Sequence, residues 1–234
     1  MQEICAVIAA AGLGTRLKNY KENNSTKILI EIGENSMIST QVNQILSWGI
    51  NNFVIITNPE FDSLIREDVA KTNPNINVKF VVQNKPLGIA HALLQVELIV
   101  KEYSKILFVL GDNFFGENPI NKLKIQDLDT MIFLKEVSNP NEFGVAKIDS
   151  NQLVEIIEKP KNPSSNLAVV GIYLYDLNCF ELIKKLEYSE RGELEITDLN
   201  NELIKSNLVS YRILESWWID AGTEERIEKL KKII

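Results

Sequence analysis

Two cationic side chains lie on a long, mostly polar segment that follows the first apolar run of the chain. These are Arg16 and Lys27, and small residues that include Gly12 and Gly14 precede Arg16. Small residues let the backbone approach a ligand, and the amides that they expose bind phosphate groups. The segment lacks the Gly-Lys-Ser/Thr ending of a P-loop, and Leu17 stands where a dinucleotide-binding fingerprint would have its third glycine. Although the glycines alone would also suit a tight turn, the two cations favour a triphosphate site.

Two aspartates follow apolar segments. Asp112 comes just after the run Ile106–Leu110, and Asp220 follows the apolar residues at 217–219. An acidic side chain in apolar surroundings is costly unless it meets a ligand or a hydrogen-bond donor. Two carboxylates at strand ends can hold Mg²⁺, which keeps waters and takes phosphate oxygens for its other positions. Each aspartate could instead cap a helix or a turn. The one histidine, His91, lies in an apolar stretch with helical spacing, which favours a structural role.

The elements that must position these residues alternate between strands and helices in the first half of the chain. Apolar runs predict four buried strands, and apolar residues at helical spacing predict helices between them. Strands separated in this way form a parallel sheet covered on both faces, which binds ligands at the carboxyl ends of its strands. The predicted strands are Ile4–Ala10, Phe53–Thr57, Val78–Gln83 and Ile106–Leu110, and the predicted helices are Ile38–Leu46, stopped by Gly49, and Ile89–Val100.

The second half has shorter connections between its strands, so the pattern predicts mixed pairing there. Residues Asp149–Asn151 predict a tight turn that joins two of these strands as a hairpin. Because no linker composition marks the middle of the chain, we predict one α/β domain over residues 1–234, with a mostly parallel central sheet flanked by helices. The predicted strands are Thr130–Val137, Gly144–Ile148, Leu153–Ile157 and Leu167–Tyr175, and the predicted helices are Cys179–Leu186, Ile196–Lys205 and one from about Glu224 to the end.

The overall composition disfavours several classes of partner. The 234 residues are 45% apolar and 24% charged, and the net charge of −7 disfavours binding to nucleic acid or to an anionic membrane surface. An anionic substrate would therefore need a locally basic site. Cys5 and Cys179 lie in apolar surroundings and are expected to be buried free thiols, which fits a reducing compartment. Because neither an apolar run of about 20 residues nor a signal peptide is visible, we expect a cytoplasmic protein.

Six segments, in order along nearly the whole chain, resemble the motifs of the sugar-1-phosphate nucleotidyltransferases, and most closely those of the glucose-1-phosphate thymidylyltransferases. Six motifs in family order are far more specific than any one of them. They are the signature loop Gly12-Leu13-Gly14-Thr15-Arg16-Leu17 with Lys27, the base-reading segment Gln83–Ala90, the metal segment Leu110–Asn113, the sugar-phosphate segment Glu158-Lys159-Pro160, the stretch Arg191–Asp198 that is typical of the thymidylyltransferases, and the closing metal motif Trp218–Thr223.

The resemblance implies a Rossmann-like nucleotidyltransferase fold, with a nucleotide-binding half over about residues 1–112 and a sugar-phosphate-binding half over about 113–234. It implies that Arg16, Lys27 and Lys159 are catalytic and that Asp112 and Asp220 hold Mg²⁺. The implied nucleotide-binding residues are Ala11, Gly12, Gly14, Thr15, Gln83 and Gly88, and the implied sugar-phosphate-binding residues are Asn113, Gly144, Glu158, Lys159, Val170, Arg191 and Trp218.

The pair Glu158 and Lys159 sets a condition on the backbone. Both precede Pro160, so the chain is expected to be extended there. Neighbouring side chains of an extended segment point to opposite faces. A direct role for both residues in one pocket therefore needs a bend between them.

The reaction that the resemblance implies asks little of a general base, because a phosphate oxygen is already anionic at neutral pH. Catalysis then depends on cations, amides and a metal that bring two polyanions together and stabilise charge at the α-phosphate. The implied reaction transfers a nucleoside monophosphate from dTTP to glucose 1-phosphate and releases pyrophosphate.

Other substrates and a non-catalytic role remain alternatives. The donor could be UTP or CTP, and the acceptor could be another sugar phosphate or phosphocholine. A more remote alternative is a regulatory subunit that only binds a nucleotide sugar. Such a binder would not need the whole set of charged residues, namely Arg16, Lys27, Asp112, Lys159 and Asp220. Relatives commonly form dimers or tetramers, but the sequence itself leaves open whether this chain forms a homo-oligomer.

Replacing Arg16 by alanine tests the first of these roles. We expect a loss of about 100-fold or more in kcat/KM, because single electrostatic contributions at a reacting centre are of that size. The measurement is pyrophosphate release by wild type and variant, with circular dichroism to verify that the variant folds. A folded Arg16→Ala protein with wild-type turnover would remove Arg16 from the mechanism.

Overall fold

Thirteen strands and seven helices form within residues 2–12, 26–124 and 130–234, which are the residues described by the structure, a computed structural model. The strands are β1 (Gln2–Ala9), β2 (Glu31–Ile32), β3 (Asn35–Ser36), β4 (Asn52–Thr57), β5 (Asn77–Val82), β6 (Tyr103–Leu110), β7 (Asn113–Phe115), β8 (Thr130–Glu136), β9 (Gly144–Asp149), β10 (Gln152–Glu158), β11 (Leu167–Asp176), β12 (Val209–Ile213) and β13 (Trp218–Asp220). The helices are α1 (Met37–Ser47), α2 (Asp62–Thr72), α3 (Ile89–Leu94), α4 (Glu97–Val100), α5 (Cys179–Ile183), α6 (Ile196–Lys205) and α7 (Glu224–Lys231).

The strand β1 lies in the middle of the central sheet. Its residues from Cys5 to Ile8 are completely buried, as expected of a strand that has helices on both of its faces. It pairs in parallel with β4 on one side and with β6 on the other, and β5 extends the sheet in parallel beyond β4. The predicted parallel pairing of the first half is confirmed. The prediction that the third strand is buried was wrong, because β5 lies at the edge of the sheet and none of its residues is fully buried.

The strand β11 joins the two halves of the sheet. It runs antiparallel to β6, and both β8 and β9 pair antiparallel with it, whereas β12 pairs in parallel with β8. Nine of the described strands belong to this sheet, with the main order β10-β9-β11-β6-β1-β4-β5. The predicted hairpin joins β9 and β10, where Ser150 and Asn151 have φ angles of 47° and 62°, as a two-residue type I′ turn requires. The mixed second half is confirmed.

The helix α1 begins and ends where its local sequence directs. The hydroxyl of Ser36 accepts a hydrogen bond from the amide of Ser39 and so caps the first turn. Gly49 follows the end of the helix with a φ of 89°, which glycine adopts at little cost. The predicted helix and its stop at Gly49 are confirmed.

The prediction of one helix over Ile89–Val100 was wrong. The structure has two short helices there, α3 and α4, with a turn between them. The amides of Gln95 and Val96 bond to carbonyls three residues back, which tightens the chain and interrupts the α-helical pattern.

Two further helices differ from the sequence pattern. The helix α5 ends at Ile183 rather than at Leu186, because the following residues form a turn. The helix α2 was not predicted. It buries only Ile65 and Val69, so its apolar residues give a weak periodic signal.

Apolar clusters cover both faces of the sheet. The side chains of β1 alternate between them: Cys5 and Val7 face the cluster that includes α3 to α6, and Ala6 and Ile8 face the cluster with α1 and α2. Cys5 and Cys179 are free and buried, as predicted, and burial raises the pKa of the Cys5 thiol to about 12. No helix within the described ranges has the length and apolar character that a membrane span needs.

The carboxyl ends of β1 and β6 are held together at one edge of the sheet. The amide of Gly111 donates to the carbonyl of Ala9 at 2.9 Å. The short strand β13 pairs with β7 at the same place, and Asp220 lies opposite Asn113. The topology therefore brings the first loop, the turn after β6 and the end of β13 to one site.

Candidate active site

A cleft of about 530 Å³ opens at this edge of the sheet. It gathers segments that are more than 200 positions apart in sequence, from Ala9 to Gly222. Gly14, Thr15 and Arg16 lie outside the described residues. The sequence-predicted residues that line the cleft are Ala11, Gly12, Lys27, Gln83, Gly88, Asp112 and Asp220.

Lys27 and Asp112 form an ion pair in the cleft. Lys27 lies in a 3₁₀ turn, and its Nζ donates to Oδ2 of Asp112, just past the end of β6. The other carboxylate oxygen accepts from Nδ2 of Asn113 at 2.8 Å. Burial acts to raise the pKa of Asp112, but the Lys27 charge and the hydrogen bonds outweigh burial and hold the pKa below its ordinary value. Asp112 is therefore ionised and fixed in orientation.

Asp220 is the second carboxylate of the cleft, and its charge is less well compensated. The β7–β13 pairing places it opposite Asn113 and so next to the Asp112 turn. Burial, followed by the negative charge of Asp112, raises the pKa of Asp220 to about 6. Lys27 and Arg226 oppose this shift, and Nη1 of Arg226 lies 3.6 Å from Oδ2 of Asp220.

The two carboxylates fit a divalent cation by the chemistry of their donors. Mg²⁺ commonly takes one or two carboxylates from a protein and completes its shell with water and substrate phosphates. Within the described part of the chain, no group of three or more acidic, histidine or cysteine side chains forms a fuller protein site. A cation at Asp112 and Asp220 would also relieve the repulsion that raises the pKa of Asp220.

Asn113 is buried and connects three parts of the site. Its Oδ1 accepts from the amide of Gly171 at 3.1 Å and from Nε1 of Trp218 at 2.7 Å, while its Nδ2 donates to Asp112. A Cβ at Gly171 would lie 2.6 Å from the Asn113 side chain, so a glycine is needed there. Trp218 packs against Phe143 with ring centroids 5.0 Å apart. Contact of Asn113 and Trp218 with a sugar stays a prediction. One of the two hydrogens on Nδ2 of Asn113 goes to Asp112, so only the other could bind a ligand.

Gln83 directly follows β5, and two contacts hold its amide group. Nε2 of Gln83 lies 3.2 Å from the carbonyl oxygen of Gly88 and 2.9 Å from Nδ1 of His91. These contacts use both N–H bonds of the amide, so the side-chain oxygen is the atom that a ligand can reach. A structural role was predicted for His91. Its ring contacts Gln83, which lines the cleft, so His91 can support that side chain.

The stretch 191–198 braces the loop that carries Gly88. The amide of Leu194 donates to the carbonyl of Leu87 at 2.7 Å, and the amide of Ala90 donates to the carbonyl of Leu194 at 3.1 Å. Gly88 has a φ of 103°, and a Cβ there would lie 2.4 Å from the Leu194 carbonyl oxygen. The stretch 191–198 therefore supports the loop that carries Gly88.

The backbone bends at Glu158 and Lys159, as a shared role for them requires. Lys159 has a φ of 44°, and its Nζ lies 3.1 Å from Oε1 of Glu158, so the two side chains meet on one side. The other oxygen of Glu158 accepts from the hydroxyl of Thr197 at 3.0 Å. Gly144 lies opposite Glu158 in the β9–β10 pairing. These residues are outside the lining of the main cleft, and their role in binding stays a prediction.

Two predicted contact residues have other surroundings. Val170 is completely buried in the cluster that covers the α1 and α2 face, so its side chain presents no surface to a ligand. Arg191 is largely exposed, and its Nη2 lies 2.8 Å from Glu195 and 3.7 Å from Glu193. The structure does not bring either side chain into the cleft.

The sequence patterns did not single out Gln41, which positions the Asp112 turn. Gln41 lies on α1, is buried, and donates from Nε2 to the carbonyls of Leu110 at 2.8 Å and of Asn113 at 3.0 Å. These two carbonyls flank Asp112. A signal was present, because Gln41 is a polar residue on the apolar face defined by Ile38 and its helical neighbours.

Arg226 on α7 was also missed. Its Nη2 donates to Glu142, its guanidinium carbon lies 5.2 Å from the centre of the Phe143 ring, and it faces Asp220. Arg226 therefore ties the last described helix to the turn before β9 and to the second carboxylate. No local pattern marks an arginine for this role, because all three partners are distant in sequence.

Comparisons with known proteins agree with this geometry. Residues 5–234 match the model of the nucleotidyl transferase family. A glucose-1-phosphate thymidylyltransferase of Neisseria meningitidis is 33% identical over 97% of this chain and 81% of its own length. A solved structure from Bacillus anthracis, described as a glucose-1-phosphate thymidylyltransferase in complex with sucrose, is 34% identical, with a TM-score of 0.89 over 98% of this chain and 94% of that chain. A UDP-glucose pyrophosphorylase in complex with UDP-glucose shares the fold, with a TM-score of 0.84, 20% identity, and coverage of 100% of this chain and 98% of that chain.

Replacing Gly88 by alanine tests the bracing of this loop. The left-handed φ and the clash with Leu194 should lower the free energy of unfolding by about 2–4 kcal/mol, measured by denaturant titration. Gly12→Ala is the matched control. Among the residues that the structure describes, none has an atom within 4 Å of a Cβ at Gly12, so we expect a change below about 0.5 kcal/mol. Equal stability of Gly88→Ala and wild type would contradict the close approach of the two segments.

Proposed function

Because the chain belongs to the nucleotidyl transferase family and is a sugar-phosphate nucleotidyltransferase, we propose that it transfers a nucleoside monophosphate from dTTP, or from the closely similar UTP, to glucose 1-phosphate. A phosphate oxygen of the sugar phosphate attacks the α-phosphorus of the nucleotide. The bond from the α-phosphorus to the oxygen that bridges to the β-phosphate breaks, and pyrophosphate leaves. The glucose-1-phosphate thymidylyltransferase of Neisseria meningitidis, which is 33% identical to this chain, supports this choice of substrates.

The observation that carries the proposal is that one cleft holds both the charged groups and the base-reading groups. Lys27, Asp112 and Asp220 provide charges suited to a triphosphate and its metal. Gln83 and Gly88 line the same cleft and provide a polar side-chain atom beside a surface without a side chain. A protein that only bound a nucleotide sugar would not need two repelling carboxylates beside a lysine.

Lys27 supplies positive charge to the phosphates. Asp112 fixes the position of its ammonium group, which neutralises phosphate oxygens and stabilises the charge that develops at the α-phosphorus. Arg16, on the same glycine-rich loop, adds a second positive charge. When bound by Asp112 and Asp220, Mg²⁺ would supply further neutralisation of phosphate charge. No general base is required, because the attacking oxygen is already anionic.

Gln83 supports a base that carries an imide N–H. Its amide nitrogen is engaged by Gly88 and His91, so its oxygen is available as an acceptor. Thymine and uracil donate from N3, whereas N3 of cytosine is itself an acceptor. The backbone of Leu194 packs against Gly88. The Gln83 oxygen favours thymine and uracil over cytosine, and we expect the slot between the glycine-rich loop and Gly88 to be too small for a purine.

Glu158 and Lys159 support a phosphorylated sugar as the acceptor. The bend at Lys159 turns its ammonium to the same side as the Glu158 carboxylate. An ammonium group suits the acceptor phosphate, and a carboxylate accepts hydrogen bonds from sugar hydroxyls. Phosphocholine has no hydroxyl groups for Glu158 to bind.

A substrate panel tests the proposed reaction. Pyrophosphate release should be fastest with dTTP or UTP and glucose 1-phosphate, and both nucleotides should be used, because one methyl group is worth about 1–3 kcal/mol at most. The panel compares dTTP, UTP, CTP, ATP and GTP with several hexose 1-phosphates and phosphocholine. Excess chelator in the same reactions should stop release, and added Mg²⁺ should restore it.

Three outcomes of the panel would contradict the proposal. Equal or better turnover with ATP or GTP would refute the assignment of the base site. Turnover with phosphocholine and with no hexose 1-phosphate would refute the sugar acceptor. Binding of a nucleotide sugar by a chain that releases no pyrophosphate from any pair would favour the regulatory subunit.

Replacing Lys159 by alanine tests the acceptor site. We expect a rise of about tenfold or more in KM for glucose 1-phosphate and a lower kcat, because the anionic nucleophile loses a charge that positions it. The KM for the nucleotide should change less. The matched control is Lys161→Ala, which removes the same charge from an exposed residue two positions away. Equal effects of the two substitutions would show that Lys159 acts only through the net charge of the surface.

A further inference from the structure

We propose that His91 is a positioning residue that holds the Gln83 amide in one orientation and thereby sets the preference for bases with an imide N–H over cytosine. This inference rests on the proposed function and extends it to a residue that lies outside the lining of the cleft. It requires that the Gln83 nitrogen, and not its oxygen, faces both Gly88 and His91.

The Gly88 carbonyl identifies the nitrogen of the Gln83 amide. A carbonyl oxygen only accepts hydrogen bonds, so the atom 3.2 Å from it must be Nε2 of Gln83. The same nitrogen lies 2.9 Å from Nδ1 of His91. Gln83 is only 7% exposed, so few other partners can reach the amide from solvent. Both hydrogens on Nε2 therefore go to these two acceptors.

The state of the His91 ring follows from this contact. Nδ1 must accept, so the ring is neutral and carries its proton on Nε2. Gln95, one turn further along the chain, has its Nε2 3.3 Å from Nε2 of His91 and 3.3 Å from the His91 carbonyl oxygen. A neutral imidazole accepts at one nitrogen only. The shorter contact with the buried Gln83 decides the tautomer, and the exposed Gln95 donates to the carbonyl.

Burial of His91 favours the same state. The ring is partly buried, and burial lowers its pKa, which keeps it neutral near pH 7. A charged ring would place an N–H against the N–H of Gln83.

The reversed orientation of the Gln83 amide is disfavoured by two contacts. It would place the side-chain oxygen against the carbonyl oxygen of Gly88 and against the acceptor Nδ1 of His91. The oxygen therefore stays available to the cleft, where it accepts from N3 of thymine or uracil. Without His91, one N–H of Gln83 has no partner and can turn to an acceptor such as N3 of cytosine. Discrimination between the two kinds of base should then fall.

Three variants of the full chain separate this hydrogen bond from a packing role. His91→Leu keeps an apolar side chain of similar size on the helix but has no acceptor. His91→Asn places its Oδ1 near the position of Nδ1, so it restores an acceptor with a smaller side chain. Gln95→Ala is the matched control, because it removes the contact at the other ring nitrogen. The readouts are kcat/KM for dTTP and dCTP with glucose 1-phosphate, and the dissociation constants of both nucleotides by calorimetry.

We expect His91→Leu to lower the preference for dTTP over dCTP by about tenfold in both readouts, which is the size of one hydrogen bond to a base. The preference should stay within about twofold of wild type in His91→Asn and in Gln95→Ala. Thermal melting of each variant shows that it is folded. If His91→Leu does not fold, His91→Ala takes its place.

Several results would overturn the inference, and they differ from a failure of the proposed function. A folded His91→Leu or His91→Ala protein with unchanged preference shows that His91 does not position Gln83. Loss of preference in both His91→Leu and His91→Asn shows that the ring itself, and not its acceptor, is needed. If wild type neither turns over nor binds any pyrimidine nucleotide, the proposed function fails first, and this inference fails with it.

Discussion

Two negative charges that cannot move apart are the constraint around which the cleft is built. Asp112 and Asp220 are both partly buried, and burial together with the Asp112 charge raises the pKa of Asp220. Lys27 compensates the first carboxylate, and Arg226 lies near the second. A cation bound by both carboxylates would relieve this repulsion, so the charges that cost the empty protein stability would favour the binding of a cation.

Rigid support keeps the repelling groups in place. Gln41 of α1 donates to the carbonyls on either side of Asp112, and Asn113 ties the same turn to β11 and to Trp218. The β7–β13 ribbon then sets the position of Asp220. The loop that carries Gly88 has its own support from Leu194. Asp112, Asp220 and Gly88 are therefore held by packed elements rather than by loops alone, which favours a preorganised cleft.

The parts of this molecule that could be predicted from the sequence are those with strong local patterns. The buried strands β1, β4 and β6 contain continuous apolar runs, and the φ angles of Ser150 and Asn151 are typical of their residue types in tight turns. The helix α2 could not be found in this way, because it buries so few residues. The three-residue strands β7 and β13 are too short to give a period, and their pairing joins distant segments.

The same distinction applies to the site. Asp112 and Asp220 could be proposed because acidic residues at the ends of apolar runs are unusual. Lys27 could be proposed as one of two cations that follow a glycine-rich segment, and the motif order supported all three residues. The contacts of Gln83 with His91 and of Gly88 with Leu194 depend on three-dimensional packing that no local spacing records. The separation of Asp112 from Asp220 also has a consequence for biosynthesis. The ribosome must release β13 before it can pair with β7, so a nascent chain with a finished parallel sheet still lacks its second acid. The cleft with both carboxylates is thus completed only after residue 220 has left the ribosome.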